Sequence, residues 1–156
     1  MSYELRDHTA DVAVEATADT PSALFAAVAD GLTAASAESV PAAGDRFDLA
    51  VESESREALL FDYLDRLIYE RDVRLVLPAD HRCTVVEPDE ESDPDSGDDP
   101  DAQVGSTDAD AWRLAASARG VPLDAVAARE IKAVTYSEMT LERRDDEWYA
   151  YVVFDV

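Results

Sequence analysis

The sequence contains very little lysine and cysteine, and each scarcity narrows the functions open to the chain. Lys132 is the only lysine among 13 basic side chains, whereas 36 side chains are acidic, and the formal net charge is -23. Binding to phosphates needs clustered Lys or Arg that displace counterions, so we expect no direct, high-affinity binding of nucleic acid. Cys83 is the only cysteine. An intrachain disulfide and zinc sites built on several cysteines are therefore excluded.

A long apolar run is also missing from the sequence. The first residues mix acidic and basic side chains, so we predict neither a signal peptide nor a membrane-spanning helix, and we expect a soluble, cytoplasmic protein in a reducing compartment. Abundant Ala, Val, Asp and Glu with almost no Lys is typical of a halophilic protein, whose carboxylate surface stays hydrated in concentrated salt. We therefore attribute the acidity to the solvent and not to a cationic substrate.

Hydrophobic periodicity predicts an α+β fold with two main helices packed on a mainly antiparallel β-sheet. The length of 156 residues suits one domain that spans residues 1–156. A cap at Thr20 predicts a first helix over 21–37, with Gly31 inside it at some cost or at a bend, and a cap at Ser53 or Ser55 predicts a second helix. Alternating residues predict strands over 3–5, 12–17, 46–52, 73–77, 82–87 and 111–118, and a hairpin that pairs 138–142 with 148–154.

Residues 88–110 differ sharply in composition from the rest of the chain. They are dominated by Asp, Glu, Ser, Gly and Pro, with almost nothing to bury, so we predict a solvated, flexible loop insertion within the domain. A calcium-binding loop needs acidic residues at fixed spacing and a closing bidentate Glu, and the segment contains no such series. We therefore favour a solvated insertion over a metal site here.

Acidic side chains occur close to both ends of the chain. Asp7 and Asp11 flank His8 near the start, while Asp155 precedes Val156, whose terminal carboxylate adds further oxygen ligands. If the fold brings the two ends together, hard oxygen ligands converge, and a divalent cation is their natural occupant.

Lys132 is a second candidate for function. A chain with arginine at its other basic positions can retain one lysine where a compact point charge is needed and a guanidinium fork would not fit. A tolerated lysine on a strand surface explains the same residue equally well. Both interpretations stay open on composition alone.

Three segments together resemble the archease family: residues 7–12, 131–136 and 152–156, which read DHTADV, IKAVTY and VVFDV in the family's order. The resemblance implies a compact α+β domain. It also implies a metal site formed by Asp11, Asp155 and Val156, which suits Ca2+ or Mg2+, with Mn2+ as a further candidate. Asp7 and His8 then support the site or form its turn.

The resemblance also bears on the middle segment. It implies that Lys132 helps to position a phosphate or carboxylate at the metal. The family often has His directly after the tyrosine of this segment, and Ser137 stands there instead. We therefore assign no imidazole role to position 137.

The function implied by the resemblance is that of a protein cofactor, not an enzyme. It would activate an RtcB-type RNA ligase in tRNA splicing by promoting guanylylation of the ligase and multiple turnover. An alternative is a chaperone-like modulator of a tRNA-modifying enzyme, such as a methyltransferase. A third class, a metal-dependent hydrolase that uses the same carboxylates, needs a nucleophile or base beside the metal, and the sequence offers only His8.

Overall fold

A computed structural model describes residues 2–7, 11–88 and 111–156 of the chain. These residues form seven β-strands, two α-helices and a short 3-10 turn. In chain order the elements are β1 Ser2–Asp7, β2 Asp11–Ala18, α1 Pro21–Ser36, β3 Asp45–Ser53, α2 Arg56–Arg74, β4 Val76–Val86, β5 Trp112–Pro122, the 3-10 turn Leu123–Ala125, β6 Ala133–Arg144 and β7 Glu147–Asp155. The predicted acidic insertion lies outside the described residues, apart from residue 88 at its start.

The strands form two antiparallel sheets. Sheet A has the strand order β1-β2-β7-β6, and sheet B has the order β3-β5-β4. Both helices contact strands of both sheets, and one hydrophobic core joins the four components. The predicted α+β class, with two main helices on antiparallel sheet, is therefore confirmed.

Neither helix in the described part of the chain is long and apolar enough to cross a membrane.

Helix α1 begins where its capping residue predicts. The Thr20 hydroxyl accepts a hydrogen bond from the backbone N–H of Ala23 at 3.1 Å, and Pro21 occupies the first turn, where its missing N–H costs nothing. The apolar positions of the helix are fully or almost fully buried in the core: Leu24, Phe25, Val28 and Leu32. The helix ends at Ser36, one residue before the predicted end.

Helix α2 begins after Ser55, which settles the choice between the two predicted caps. The Ser55 hydroxyl accepts a hydrogen bond from the backbone N–H of Ala58 at 3.0 Å. The predicted apolar stripe is buried: Leu60, Tyr63, Leu64, Leu67 and Ile68. The guanidinium of Arg56 lies 4.4 Å from the ring centroid of Trp148 in sheet A and 5.2 Å from that of Trp112 in sheet B. These cation–π contacts attach the start of the helix to both sheets.

The prediction of two separate strands around residues 78–80 is wrong. Residues 73 and 74 belong to α2, and β4 runs without a break through Pro78 to Val86, with an irregular register between Ala79 and Arg82. Because β4 is an edge strand, Pro78 can lack a backbone donor without losing a bond that the sheet needs. Strand β5 likewise continues past its predicted end at 118 to Pro122, since it pairs with β4 over that length.

Gly31 lies inside α1, at a close contact between α1 and β2. A Cβ atom at this position would lie 2.5 Å from Cγ1 of Val14, a distance that side chains do not tolerate. The helix can therefore approach the strand only because residue 31 lacks a side chain. This contact helps to hold β2, whose first residue is Asp11, against the core.

Replacement of Gly31 by alanine tests this contact. In an open helix Gly→Ala stabilises by about 0.5–1 kcal/mol. Here the clash with Val14 reverses the sign, and we expect Gly31→Ala to lower the free energy of unfolding by about 1–3 kcal/mol, measured by denaturant titration. A more stable variant would show that the helix can move away from the strand at little cost.

Candidate functional site

Strand β7 brings the two ends of the described chain together. Asp155, its last residue, is directly opposite Asp11 of β2 on one side and opposite Ala133 of β6 on the other. The backbone N–H of Lys132 donates a hydrogen bond to the Asp155 carbonyl oxygen at 2.8 Å. Three of the predicted site residues, which are far apart in sequence, therefore meet at one end of sheet A.

Asp11 and Asp155 form a carboxylate pair on the outer face of sheet A. Their chain neighbours Val12 and Phe154 are buried in the core, so the alternation of the strands places both aspartates on the opposite face, where they are half-buried. Directly opposed residues have Cβ atoms about 4.5–5.5 Å apart, and like charges in such positions are unfavourable. A cation between the two carboxylates would remove this repulsion.

The other predicted site residues near the two chain ends are Val156, Asp7 and His8. Val156 directly follows Asp155, and its half-buried side chain packs against the core. Asp7 is paired with Val12 in the β1–β2 ladder, so its backbone lies close to Asp11, but its side chain is outside the described part of the structure. His8 lies entirely outside the described residues.

The chemistry of the pair fits a hard cation. Across 2–7, 11–88 and 111–156, no three His, Cys, Asp or Glu residues gather in a group that could hold a metal. A cation at this point would have two carboxylates and main-chain oxygen of Val156 as its ligands from the described residues. Oxygen-only ligation of this kind suits Ca2+ or Mg2+ better than zinc, which prefers nitrogen and sulfur.

The backbone around Lys132 is held by two hydrogen bonds. The carbonyl oxygen of the preceding, fully buried Ile131 accepts a hydrogen bond from Nη1 of Arg71 at 2.9 Å. The backbone of Lys132 itself is bonded to Asp155, as described above. Its side chain is exposed. The position beside the carboxylate pair is compatible with the functional interpretation, and the exposure is compatible with a tolerated surface lysine.

The strand that carries this lysine has an irregular middle. The β6–β7 register shifts between Thr135 and Thr140, so residues 136–139 are not in regular register with β7. Tyr136 is 49% exposed and its ring lies 5.1 Å from that of Phe61 on α2. Position 137 is thus at an irregular point of the strand.

A buried polar cluster, which sequence analysis missed, lies between α1 and β4. Oγ1 of Thr33 lies 2.8 Å from the Pro78 carbonyl oxygen and 2.8 Å from Nε2 of His81. The Ala29 carbonyl oxygen lies 3.2 Å from the same Oγ1, while Nδ1 of His81 is buried without a partner among the described residues. Burial lowers the pKa of His81 from 6.5 to about 4. No sequence signal marks this residue, because its burial depends on tertiary packing.

Cys83, the only thiol, is inert for a similar reason. Its Sγ donates a hydrogen bond to the hydroxyl of Tyr63 at 3.1 Å, and burial raises the pKa of Cys83 to about 12. The group is therefore protonated at neutral pH and is not activated as a nucleophile. Both His81 and Cys83 lie on β4 in sheet B, whereas the carboxylate pair lies in sheet A.

Comparisons with known proteins agree with this fold. A sequence model of the Archease protein family (MTH1598/TM1083) matches residues 3–156. Protein archease of Methanopyrus kandleri is 27% identical over 161 residues, covering 100% of both chains. Protein archease of Pyrococcus furiosus is 26% identical over 160 residues, covering 99% of this chain and 98% of its own.

Two solved structures share the fold. The solution structure of Methanobacterium thermoautotrophicum protein 1598 has a TM-score of 0.74 at 23% identity and covers 99% of each chain. The crystal structure of a Thermotoga maritima archease, described as a possible chaperone, has a TM-score of 0.58 at 18% identity, with 97% of this chain and 94% of that chain covered.

The buried His81 predicts a loss of stability in acid. Since its pKa falls from 6.5 to about 4 on folding, the unfolded state binds the extra proton between these values. The contribution of His81 to the free energy of unfolding is therefore complete above pH 6.5. It is lost as the pH falls towards about 4, and the total loss is about 3 kcal/mol. The charge of Asp80 raises the pKa of His81 and that of Arg46 lowers it, but burial has the larger effect.

Denaturant unfolding across this pH range gives the measurement, with His81→Gln as the test variant. We expect the variant to show a shallower pH dependence than the wild type. His8→Gln, which alters the only other histidine, is the comparison variant that separates the contribution of His8 from that of His81. Equal slopes for wild type and His81→Gln would contradict the assignment.

Proposed function

The chain belongs to the archease protein family, and on that premise we propose that it is a metal-binding activator of an RtcB-type RNA ligase in tRNA splicing. It is a protein cofactor that promotes guanylylation of the ligase and multiple turnover, and it does not itself join RNA. The single observation that carries the proposal is the meeting of Asp11, Lys132 and Asp155 at one end of sheet A.

That observation supports the proposal because the three segments that resemble the family are separated by most of the chain. Nothing in the core requires two aspartates to be directly opposed on adjacent strands, and their repulsion costs stability. A ligand-binding role gives the opposed carboxylates a function that offsets this cost.

Each group has a defined role in the proposed mechanism. Asp11 and Asp155 hold the cation with their carboxylates, and Val156 contributes main-chain oxygen. Ca2+ and Mg2+ are the preferred occupants and Mn2+ a further candidate; when bound, such an ion supplies positive charge that can neutralise developing charge on a phosphate. Lys132 adds a compact ammonium group close to the same point and orients a phosphate or carboxylate of the partner.

A second candidate function is that of a chaperone-like modulator of a tRNA-modifying enzyme such as a methyltransferase. The observation that favours it is the description of the Thermotoga maritima relative as a possible chaperone. This function predicts reduced aggregation of the client enzyme, and it predicts that the effect persists when Asp11 is replaced.

Metal binding is tested directly with Asp155→Asn. The amide keeps the shape of the side chain but removes one of two opposed charges, so we expect Ca2+ affinity in calorimetric titration to fall roughly tenfold or more. Asp48→Asn, an exposed aspartate on β3 of the other sheet, is the matched control and should titrate like the wild type. Equal losses in both variants would indicate non-specific binding to the acidic surface.

Multiple-turnover RNA ligation tests the function itself. The cognate ligase is assayed in molar salt with GTP and Mn2+, without addition and with wild type, Asp11→Asn or Asp48→Asn. We expect stimulation by the wild type and by Asp48→Asn, and loss of stimulation with Asp11→Asn, because half of the carboxylate pair is gone.

Other outcomes separate the two candidate functions. Stimulation retained by Asp11→Asn would keep the ligase as partner but remove the carboxylate pair from the mechanism. No stimulation by any form of the protein, with suppression of methyltransferase aggregation that persists in Asp11→Asn, would favour the chaperone-like function.

A further inference from the structure

Three large apolar side chains are exposed in the last two turns of α2 and at its cap. Among the described residues, five large hydrophobic side chains are exposed, and three of them are Tyr69, Val73 and Leu75, at 57%, 59% and 66%. Tyr69 and Val73 are one helical turn apart, and Leu75 follows the helix directly. We call these three residues the Leu75 patch. The net charge of the chain is -23. On so polar a surface, the Leu75 patch is unexpected if this region contacts only solvent.

The backbone at Leu75 adds a second anomaly. Leu75 caps the helix with φ 58°, in the left-handed region, where glycine or asparagine is the usual residue. The other non-glycine residues with positive φ in the described chain are Asp80 and Asp145, whose short polar side chains tolerate this conformation. Leucine at position 75 is therefore unfavourable for this backbone conformation, and its side chain is also exposed. Folding alone does not explain its presence.

Acidic residues surround the patch. Asp65 and Asp72 lie one turn before and one turn after Tyr69 on the helix, and both are exposed. Asp124 lies in the 3-10 turn that follows β5, and the backbone N–H of its neighbour Leu123 donates to the Leu75 carbonyl oxygen at 3.1 Å. The nearby guanidinium of Arg74 is already engaged by Glu70 and by the ring of Phe47. The complementary surface is therefore apolar at its centre and positively charged around it.

The patch is also connected to the carboxylate pair through the helix. Arg71 lies between Tyr69 and Val73 in sequence; its guanidinium bonds Asp72 and donates to the Ile131 carbonyl oxygen. The next residue, Lys132, is bonded to Asp155. A protein seated on the patch would thus contact the helix that positions one side of the candidate metal site.

We infer that the Leu75 patch is a docking surface for an apolar, positively charged segment of the partner enzyme. The inference rests on the proposed function, because an enzyme that joins RNA must carry clustered Lys and Arg to hold its substrate. Such a surface complements the exposed Asp65, Asp72 and Asp124 near the patch, while the exposed leucine, valine and tyrosine supply contacts that salt does not screen. Docking there would engage the last turn of α2, whose Arg71 donates a hydrogen bond to the backbone directly before Lys132.

The test uses the double variant Val73→Ser/Leu75→Asn of the full chain. Asparagine is favoured at a left-handed cap and serine is tolerated on the exposed helix surface, so the fold should be retained, which thermal unfolding checks. Tyr3→Ser, which removes an exposed aromatic from β1 of sheet A, is the control. Binding to the cognate ligase is measured by analytical ultracentrifugation in molar salt, and Ca2+ binding by calorimetry.

We expect the double variant to bind the ligase at least about tenfold more weakly, with unchanged Ca2+ affinity, and Tyr3→Ser to bind like the wild type. Ligase affinity equal to wild type in the double variant would overturn the docking surface and leave the proposed function in place. Loss of self-association in the double variant, with unchanged ligase affinity, would replace the partner with a second copy of this chain. A wild type that neither binds nor stimulates the ligase would overturn the proposed function, and the inference with it.

Discussion

The central position of β7 in sheet A is the constraint on which the rest of the structure depends. Because β7 pairs with both β2 and β6, its last residue has neighbours from the first and the last third of the chain. Asp11 and Lys132 reach Asp155 through this pairing and not through any local motif. The buried residues that alternate with the aspartates, Val12 and Phe154, hold the register, since a slip by one residue would expose them.

The same register places two like charges, Asp11 and Asp155, directly opposite each other. Two carboxylates directly opposed on one face repel each other, in a chain whose net charge already opposes compaction. Elsewhere the charged groups are arranged to attract: Glu70, only 4% exposed, lies between Arg66 and Arg74, which lower its pKa against the effect of burial. The contrast supports a functional reason for the aspartate pair, because the buried Glu70 has two arginine partners.

Helix α2 links this end of sheet A to sheet B. Its first residue, Arg56, contacts a tryptophan of each sheet, and Arg71 in its last turn bonds the backbone that precedes Lys132. The exposed Leu75 at its end therefore belongs to the same rigid framework as the carboxylate pair. A partner bound to α2 and a cation bound between β2 and β7 would therefore act on parts of the structure that hydrogen bonds connect.

Local signals in the sequence determined much of the fold. Thr20 and Ser55 start their helices because a cap satisfies backbone donors a few residues away, and periodicity predicted the apolar stripe of α2. The candidate site residues were also visible, although only a resemblance joined the three segments. Tertiary structure decided the pairing that unites Asp11 with Asp155, the continuity of β4 through Pro78, the burial of His81 and the exposure of Leu75. Each of these depends on contacts between residues distant in sequence, and no local preference specifies such contacts.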